Sequence, residues 1–327
     1  MESPASTRPA PAPWQIWIDR GGTFTDVVAR APDGQLVTAK LLSADPNRAE
    51  DAAVAAIRQL TATPTGPLPP AHIRMGTTVA TNALLEGAGE PALLAVTRGF
   101  ADALTIGYQD RPDIFARAID LPRPPHARVI EIDERIRADG TIERPLDAAS
   151  ARAALQTAHD AGLRSVAILL MHGYRFTAHE AQLADIARAI GFTQISVSHQ
   201  LAPLIRLVAR GVTTLVDAYL SPILRRYVDK FVDDLGESTD GGDWGERLLF
   251  MQSSGGLAAA KNFHGKDAIL SGPAGGIVGM VETAAAIGVD RVIGFDMGGT
   301  STDVSHYAGR YERDNDAKVA GVRVTVP

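Results

Sequence analysis

Residues Ile18–Asp26 read IDRGGTFTD, and residues Phe295–Asp303 read FDMGGTSTD. An aspartate, a glycine pair, a threonine and a closing Thr-Asp thus recur 277 positions apart (296 − 19). Phosphate groups need many short donors at close range, and glycine lets backbone N–H groups approach without a Cβ in the way. Gly21, Gly22 and Thr23 in the first copy, with Gly298, Gly299 and Thr300 in the second, are therefore the candidate phosphate-binding groups. Asp19 and Asp296 end the preceding runs, where a carboxylate suits a hydrated Mg²⁺ that keeps most of its waters. Asp26 and Asp303 either order that metal's waters or brace the hairpins. Two such turns facing each other across a cleft would clamp the β- and γ-phosphates of ATP.

Patterning outward from these turns gives a coarse architecture. WQIWID, Trp14–Asp19, alternates as a strand with Trp14, Ile16 and Ile18 on one face. The glycine turn leads into a strand at Thr25–Ala29, and Asp33-Gly34 turns the chain into a third, which makes an antiparallel meander. A helix follows at Arg48–Leu60, and TATPTGPLPP, Thr61–Pro70, reads as a surface loop. Helices and strands then alternate: helix Val79–Glu86, strands Pro91–Val96 and Arg128–Arg135, helix Asp147–Ala161, strand Ser165–Met171, helix Ala178–Ile190. The irregular stretch Arg111–Pro125 has the character of a site-lining loop. Ser221-Pro222 reads as a cap and first-turn proline, which opens a helix to Leu235. A strand at Leu248–Gln252 and a small-residue helix at Ser271–Gly288 precede the second motif. That motif restarts the meander with strands at Val292–Asp296, Thr302–Tyr307 and Lys318–Thr325.

Composition narrows the functional classes. The 327 residues carry a net charge of −6, against the basic face of a nucleic-acid binder. The absence of cysteine excludes disulfides and thiolate chemistry. The longest apolar run, Val166–Met171, is too short to span a bilayer, so neither nucleic acid nor membrane is an expected partner. Residues 1–13 lack the apolar core of a signal peptide and read as a disordered lead-in, and the expected location is cytoplasmic. The eight histidines show no ligand spacing, and no G-x-S-x-G elbow is present.

Five blocks then carry a resemblance: WIDRGGTFTDVVAR from Trp17, RMGTTVATNALLE from Arg74, VDAYLSPIL from Val216, GKDAILSGPAGG from Gly265 and GFDMGGTSTDV from Gly294. In this order they resemble the hydantoinase A/oxoprolinase family, within the actin, hexokinase and Hsp70 ATPase superfamily. Arg20 and the block IGYQDRPDIF from Ile106 are most similar to the 5-oxoprolinase branch. The resemblance implies an α/β fold of two ribonuclease-H-like domains closing on ATP and Mg²⁺. The first, with insertions and a connecting helix, is expected at 14–289, and an incomplete second at 290–327. It further implies ATP-dependent opening of a small cyclic amide, 5-oxo-L-proline, to L-glutamate, with a hydantoinase B-type subunit or region as partner. Family members run longer than this chain, which is accordingly either an active unit or an inactive fragment.

Several readings stay open on the residues alone. Thr77, Thr78 and Asn82 either cap a helix or contact substrate or phosphate. Arg20 is a candidate contact for phosphate or a substrate carboxylate. SGPAGGIVG either packs closely in the cleft or offers its helix N-terminus to a phosphate. An ATP-dependent hydantoinase, a sugar kinase and a non-catalytic binding module are the competing functions.

Overall fold

The computed structural model describes residues 12–109, 113–118, 123–297, 302–312, 316–319 and 322–325. Gly298, Gly299 and Thr300, most of the expected lead-in and parts of the 111–125 stretch lie outside the described residues. The chain begins as the alternation predicts, with β1 (Trp14–Arg20), β2 (Phe24–Arg30) and β3 (Leu36–Leu42) in an antiparallel meander. Helix α1 (Ala52–Leu60) starts later than expected, because the Asp51 side chain accepts the Ala53 N–H at 2.8 Å and fixes the N-cap there. Strand β4 (Ala71–Thr77) then pairs parallel to β1 and leads into α2 (Val79–Leu85).

A second, all-parallel sheet follows within the chain. It contains β5 (Ala92–Thr97), β6 (His126–Ile132), β7 (Ser165–Leu169) and β8 (Gln194–Val197), in the order β8-β7-β5-β6. Helices α3 (Ala148–Asp160) and α4 (Ala178–Ile190) connect its later strands. Its two central strands, β5 and β7, are near-continuous apolar runs, ALLAVT and SVAIL, buried throughout as both-face coverage requires. The chain returns to the first sheet through α5 (Leu207–Leu235), β9 (Leu248–Met251) and β10 (Leu257–Ala259). That sheet is thereby six-stranded, in the order β10-β9-β4-β1-β2-β3. Its core face carries Ile16, Ile18, Val27, Ile73 and Met75 against Ile57 of α1 and Val216, Leu220 and Phe231 of α5. Helix α6 (Ser271–Ala286) then delivers the second hairpin, β11 (Arg291–Met297) paired with β12 (Thr302–Ala308).

Two expectations are corrected. The strand expected at Lys318–Thr325 is instead a separate hairpin, β13 (Asp316–Val319) with β14 (Val322–Thr325), packed near α5 rather than added to β11–β12. Val319 of β13 joins the first sheet's core. The helix expected to open at Ser221-Pro222 opens instead at Leu207, with Pro222 in its interior. Proline lacks the N–H that would bond Ala218, a defect that ordinarily breaks a helix. Here the Ser165 hydroxyl at the head of β7 donates to the Ala218 carbonyl at 2.5 Å and replaces the missing bond. Ser221 is not a cap: its hydroxyl donates to Asp217 at 3.0 Å and accepts the Gly265 N–H at 2.9 Å. Among the described residues α5 alone is long and apolar enough to cross a membrane, yet 83% of its most apolar window is buried in the protein.

Replacing Ser165 with alanine orphans the Ala218 carbonyl in a fully buried position. The expected loss is about 1–3 kcal/mol of unfolding free energy, read as a lower denaturant midpoint at unchanged helix content. An unshifted midpoint would show that the proline is tolerated for another reason.

Candidate functional site

Strand alternation decides which side chains can reach a cleft. In β1, Ile16 and Ile18 point into the core, so Trp17 and Asp19 face the opposite side of the sheet. Register places Gly76 of β4 beside Asp19, Asp26 of β2 on its other side, and Lys40 of β3 beside Asp26. These four form one row across the sheet. The Lys40 ammonium donates to both Asp26 oxygens at 2.7 Å. Glycine at 76 keeps the space before Asp19 open, since a Cβ there would lie 3.7 Å from Oδ1.

Helix α6 forms the facing wall. Gly272, Gly275 and Gly276 line a cavity of about 360 Å³ together with Trp17, Asp19, Asp26, Arg74, Gly76, Met251, Leu257 and Asp296. The small-residue stripe borders open space rather than a tight contact: a Cβ at Gly272, Gly275 or Gly276 would stand 3.8, 3.6 or 3.9 Å from its nearest neighbour, ordinary contact distances. At Gly276 a Cβ would stand 3.9 Å from Asp296 Oδ2, matching Gly76 beside Asp19. The α6 N-terminus is anchored by the buried Ser271 hydroxyl, which donates to the Thr77 carbonyl at 3.0 Å. Asp19 and Asp296, one from each glycine hairpin, therefore line the same space. Asp303 lies across from Asp296 and borders the neighbouring groove between α6 and the second hairpin.

The charge balance is strained. Burial, then the Asp26 carboxylate, then Asp296 push the Asp19 carboxyl above its ordinary value, and Lys40 offsets this in part. An all-oxygen donor set with surplus negative charge fits a hard divalent cation better than a soft one. Among the described residues no three or more His, Asp or Glu side chains, these carboxylates included, come together as a set that could hold a metal ion.

The other sequence-derived candidates divide by role. The Gly21 N–H closes the turn onto the Phe24 carbonyl at 3.0 Å, so its donor is spent. Among the described residues the N–H groups of Gly22 and Thr23 have no partner and remain available. Arg20 falls on the core side of β1, where Nε pairs with Asp51 at 3.3 Å and the guanidinium lies 4.9 Å from the Tyr227 ring. Strand alternation separates it from Asp19, so it does not line the cleft. Thr78 donates to the Arg20 carbonyl at 3.3 Å and accepts from Asn82 at 3.3 Å, while Thr77 is buried and accepts from the Val79 N–H. These three brace the back of the first turn. Ser43 braces its flank, with a hydroxyl bond to the Gly21 carbonyl at 2.7 Å and its N–H on the Thr23 carbonyl.

Arg74, Trp17 and Lys40 were missed from sequence. The signal for the first two was present: counting back two residues from Asp19 and from its neighbour Gly76 puts both on the Asp19 face.

A family model described as the hydantoinase/oxoprolinase N-terminal region matches residues 15–191, and one described as hydantoinase/oxoprolinase matches 210–327. The chain is 42% identical to 5-oxoprolinase 1 of Arabidopsis thaliana, over 95% of this chain and 27% of that protein. Its fold superposes on an ATP-dependent caprolactamase from Pseudomonas jessenii with a TM-score of 0.77 at 30% identity, over 96% of this chain and 46% of that one. An acetone carboxylase structure gives the same TM-score and coverage at 24% identity, a likeness of fold. The chain thus spans about a quarter to a half of the relatives it matches. With both family models together covering most of its length, from the first glycine hairpin through the second, the chain belongs to the hydantoinase/oxoprolinase family, on an actin-like ATPase fold.

Proposed function

We infer that the protein opens a cyclic amide at the expense of ATP, with 5-oxo-L-proline as substrate and L-glutamate as product. The observation that carries this reading is the convergence of Asp19 and Asp296, one from each copy of the repeated glycine motif, on one cavity. The likeness to 5-oxoprolinases of plant, slime mould and yeast supports the choice of lactam. A five-membered lactam resists water because its amide is resonance-stabilised and barely strained. Transfer of the γ-phosphoryl to the lactam oxygen forms a P–O bond there and releases ADP. The ring carbon is then electrophilic, and one water opens the C–N bond with the proton passing to nitrogen. A second water is consumed as phosphate leaves, so no covalent enzyme nucleophile is required.

The chain's own residues supply position and charge. The free N–H groups of Gly22 and Thr23 suit phosphate oxygens, and Thr78, Asn82 and Ser43 hold their turn rigid. Gly298, Gly299 and Thr300, the matching residues of the second motif, are the proposed second set of phosphate donors. Asp19 and Asp296 would hold Mg²⁺ through its waters, and Lys40 holds Asp26 in place beside them. When bound, the metal supplies neutralisation of the transferring phosphoryl charge. A hydantoinase B-type subunit or region and a cytoplasmic setting belong to the same reading.

With Mg-ATP, a hydantoinase B-type partner and 5-oxoproline, the full protein should release glutamate and phosphate in equal amounts. Turnover of hydantoin with 5-oxoproline inert would move the assignment to hydantoins.

A second expectation concerns the carboxylate row. Because the folded state holds the Asp19 proton more tightly than the unfolded chain, this group costs nothing below its ordinary pKa. The cost appears as pH rises through the carboxylate range and is complete above its raised folded value. Without metal, Asp19→Asn should therefore raise the melting temperature at neutral pH, while Mg²⁺-dependent turnover falls about 100-fold. A melting temperature that drops in the variant would show that Asp19 is a structural anchor.

A further inference from the structure

Arg74 stands out among the cavity residues by its unspent charge. Its Nη1 donates to the neutral Gln15 Oε1 at 3.0 Å, and its guanidinium lies 5.5 Å from the Trp17 ring centroid. Among the described residues no carboxylate pairs with it, and its other N–H groups have no protein partner. The carboxylates that share the cavity (Asp19, Asp26 and Asp296) are gathered at the Gly76 end. An arginine kept next to three acids without pairing to any of them is available to an anion from outside.

Spacing defines what that anion can be. Arg74 precedes Gly76 by two residues of β4, about 6.5–7 Å along the strand. Gly76 is the register partner of Asp19, and Trp17 is the register partner of Arg74. The cavity thus has a cationic, aromatic end and an acidic end, with Met251 and Leu257 flanking the Gly76 row as an apolar wall. In 5-oxoproline the carboxylate carbon and the lactam oxygen lie about 5 Å apart across the ring. One molecule spans the two ends, its methylenes against the apolar wall.

We propose that Arg74 is the substrate-selecting residue of this cleft: it binds the carboxylate of a cyclic amide acid, with Trp17 as its platform, and so turns the lactam oxygen towards the Asp19–Asp296 end. The inference rests on the lactam reading above and sharpens it. The cleft selects lactams that carry a carboxylate beside the ring nitrogen over plain lactams of the same ring size. A planar guanidinium is the group best shaped for bidentate carboxylate binding.

The test is calorimetric binding to the full protein loaded with Mg²⁺ and a non-hydrolysable ATP analogue, using 5-oxoproline and 2-pyrrolidinone, the same ring without its carboxylate. The expected result is that Arg74→Gln weakens 5-oxoproline binding about 10- to 100-fold, Arg74→Lys restores part of it, and 2-pyrrolidinone binds parent and both variants alike. The nucleotide affinity stays unchanged, which also shows that the variants are folded. Equal 5-oxoproline binding by parent and Arg74→Gln would overturn the assignment of Arg74 and leave the lactam reading standing. A variant that loses the nucleotide instead would make Arg74 a phosphate contact and overturn it too. If the parent binds the nucleotide but neither lactam, both inferences fail together.

Discussion

The position of β1 between an antiparallel and a parallel neighbour is the constraint on which the rest of the structure depends. Pairing on both edges fixes the strand's register to Asp26 on one side and Gly76 on the other. Its period of two then sends Ile16 and Ile18 into the core and Trp17 and Asp19 into the cleft. A slip of one residue would exchange these faces, burying Asp19 and presenting Arg20 to the cavity. The core therefore does the site's positioning: the apolar burial that stabilises β1 is the same interaction that aims its carboxylate. Arg20 shows the same rule from the other side, since its place in the strand commits it to Asp51 and Tyr227.

Electrostatics in the cleft oppose stability. Three carboxylates share one cavity, and only Asp26 has its charge met directly, by Lys40. Holding like charges together in a partly buried space costs folding free energy, and such costs concentrate where a ligand will repay them. The two glycines beside the carboxylates, Gly76 and Gly276, leave space that side chains would otherwise fill. Small residues here are thus a means of keeping a charged cavity open within an otherwise packed junction between α6 and the sheet.

The parallel sheet uses its polar groups differently. Glu134 accepts from the Thr97 hydroxyl and contacts His179 Nδ1 at 2.8 Å; Glu180 meets the Leu170 N–H, the Ser198 hydroxyl and His199. These carboxylates are fully enclosed and satisfied, and they tie the end of β5 and the chain after β6, β7 and β8 to α4. Histidines that lacked ligand spacing in the sequence accordingly serve as partners for buried acids. Helix α5 links this sheet to the first, with Leu215 and Ala218 in one core and Val216 and Leu220 in the other.

The first meander, the alternating elements and the first glycine turn were legible because each rests on local periodicity or turn chemistry. Helix α4 spans the very residues its 3.6-residue pattern indicated. What failed locally failed for a tertiary reason. Pro222 reads as a helix start, but Ser165, 57 positions earlier (222 − 165), supplies the bond that lets the helix run through it. Leu68, in a proline-rich stretch that reads as surface, is fully buried where its backbone meets Glu237 and Thr239. Arg74 carries no motif of its own and gains its meaning from standing beside Trp17. By itself the sequence determined which residue types could meet phosphate and metal, because glycine turns and strand-end aspartates act over a few bonds. Which of them share a cavity, and which arginine faces it, only the tertiary structure decided, because strand register and helix packing join residues that the chain holds far apart.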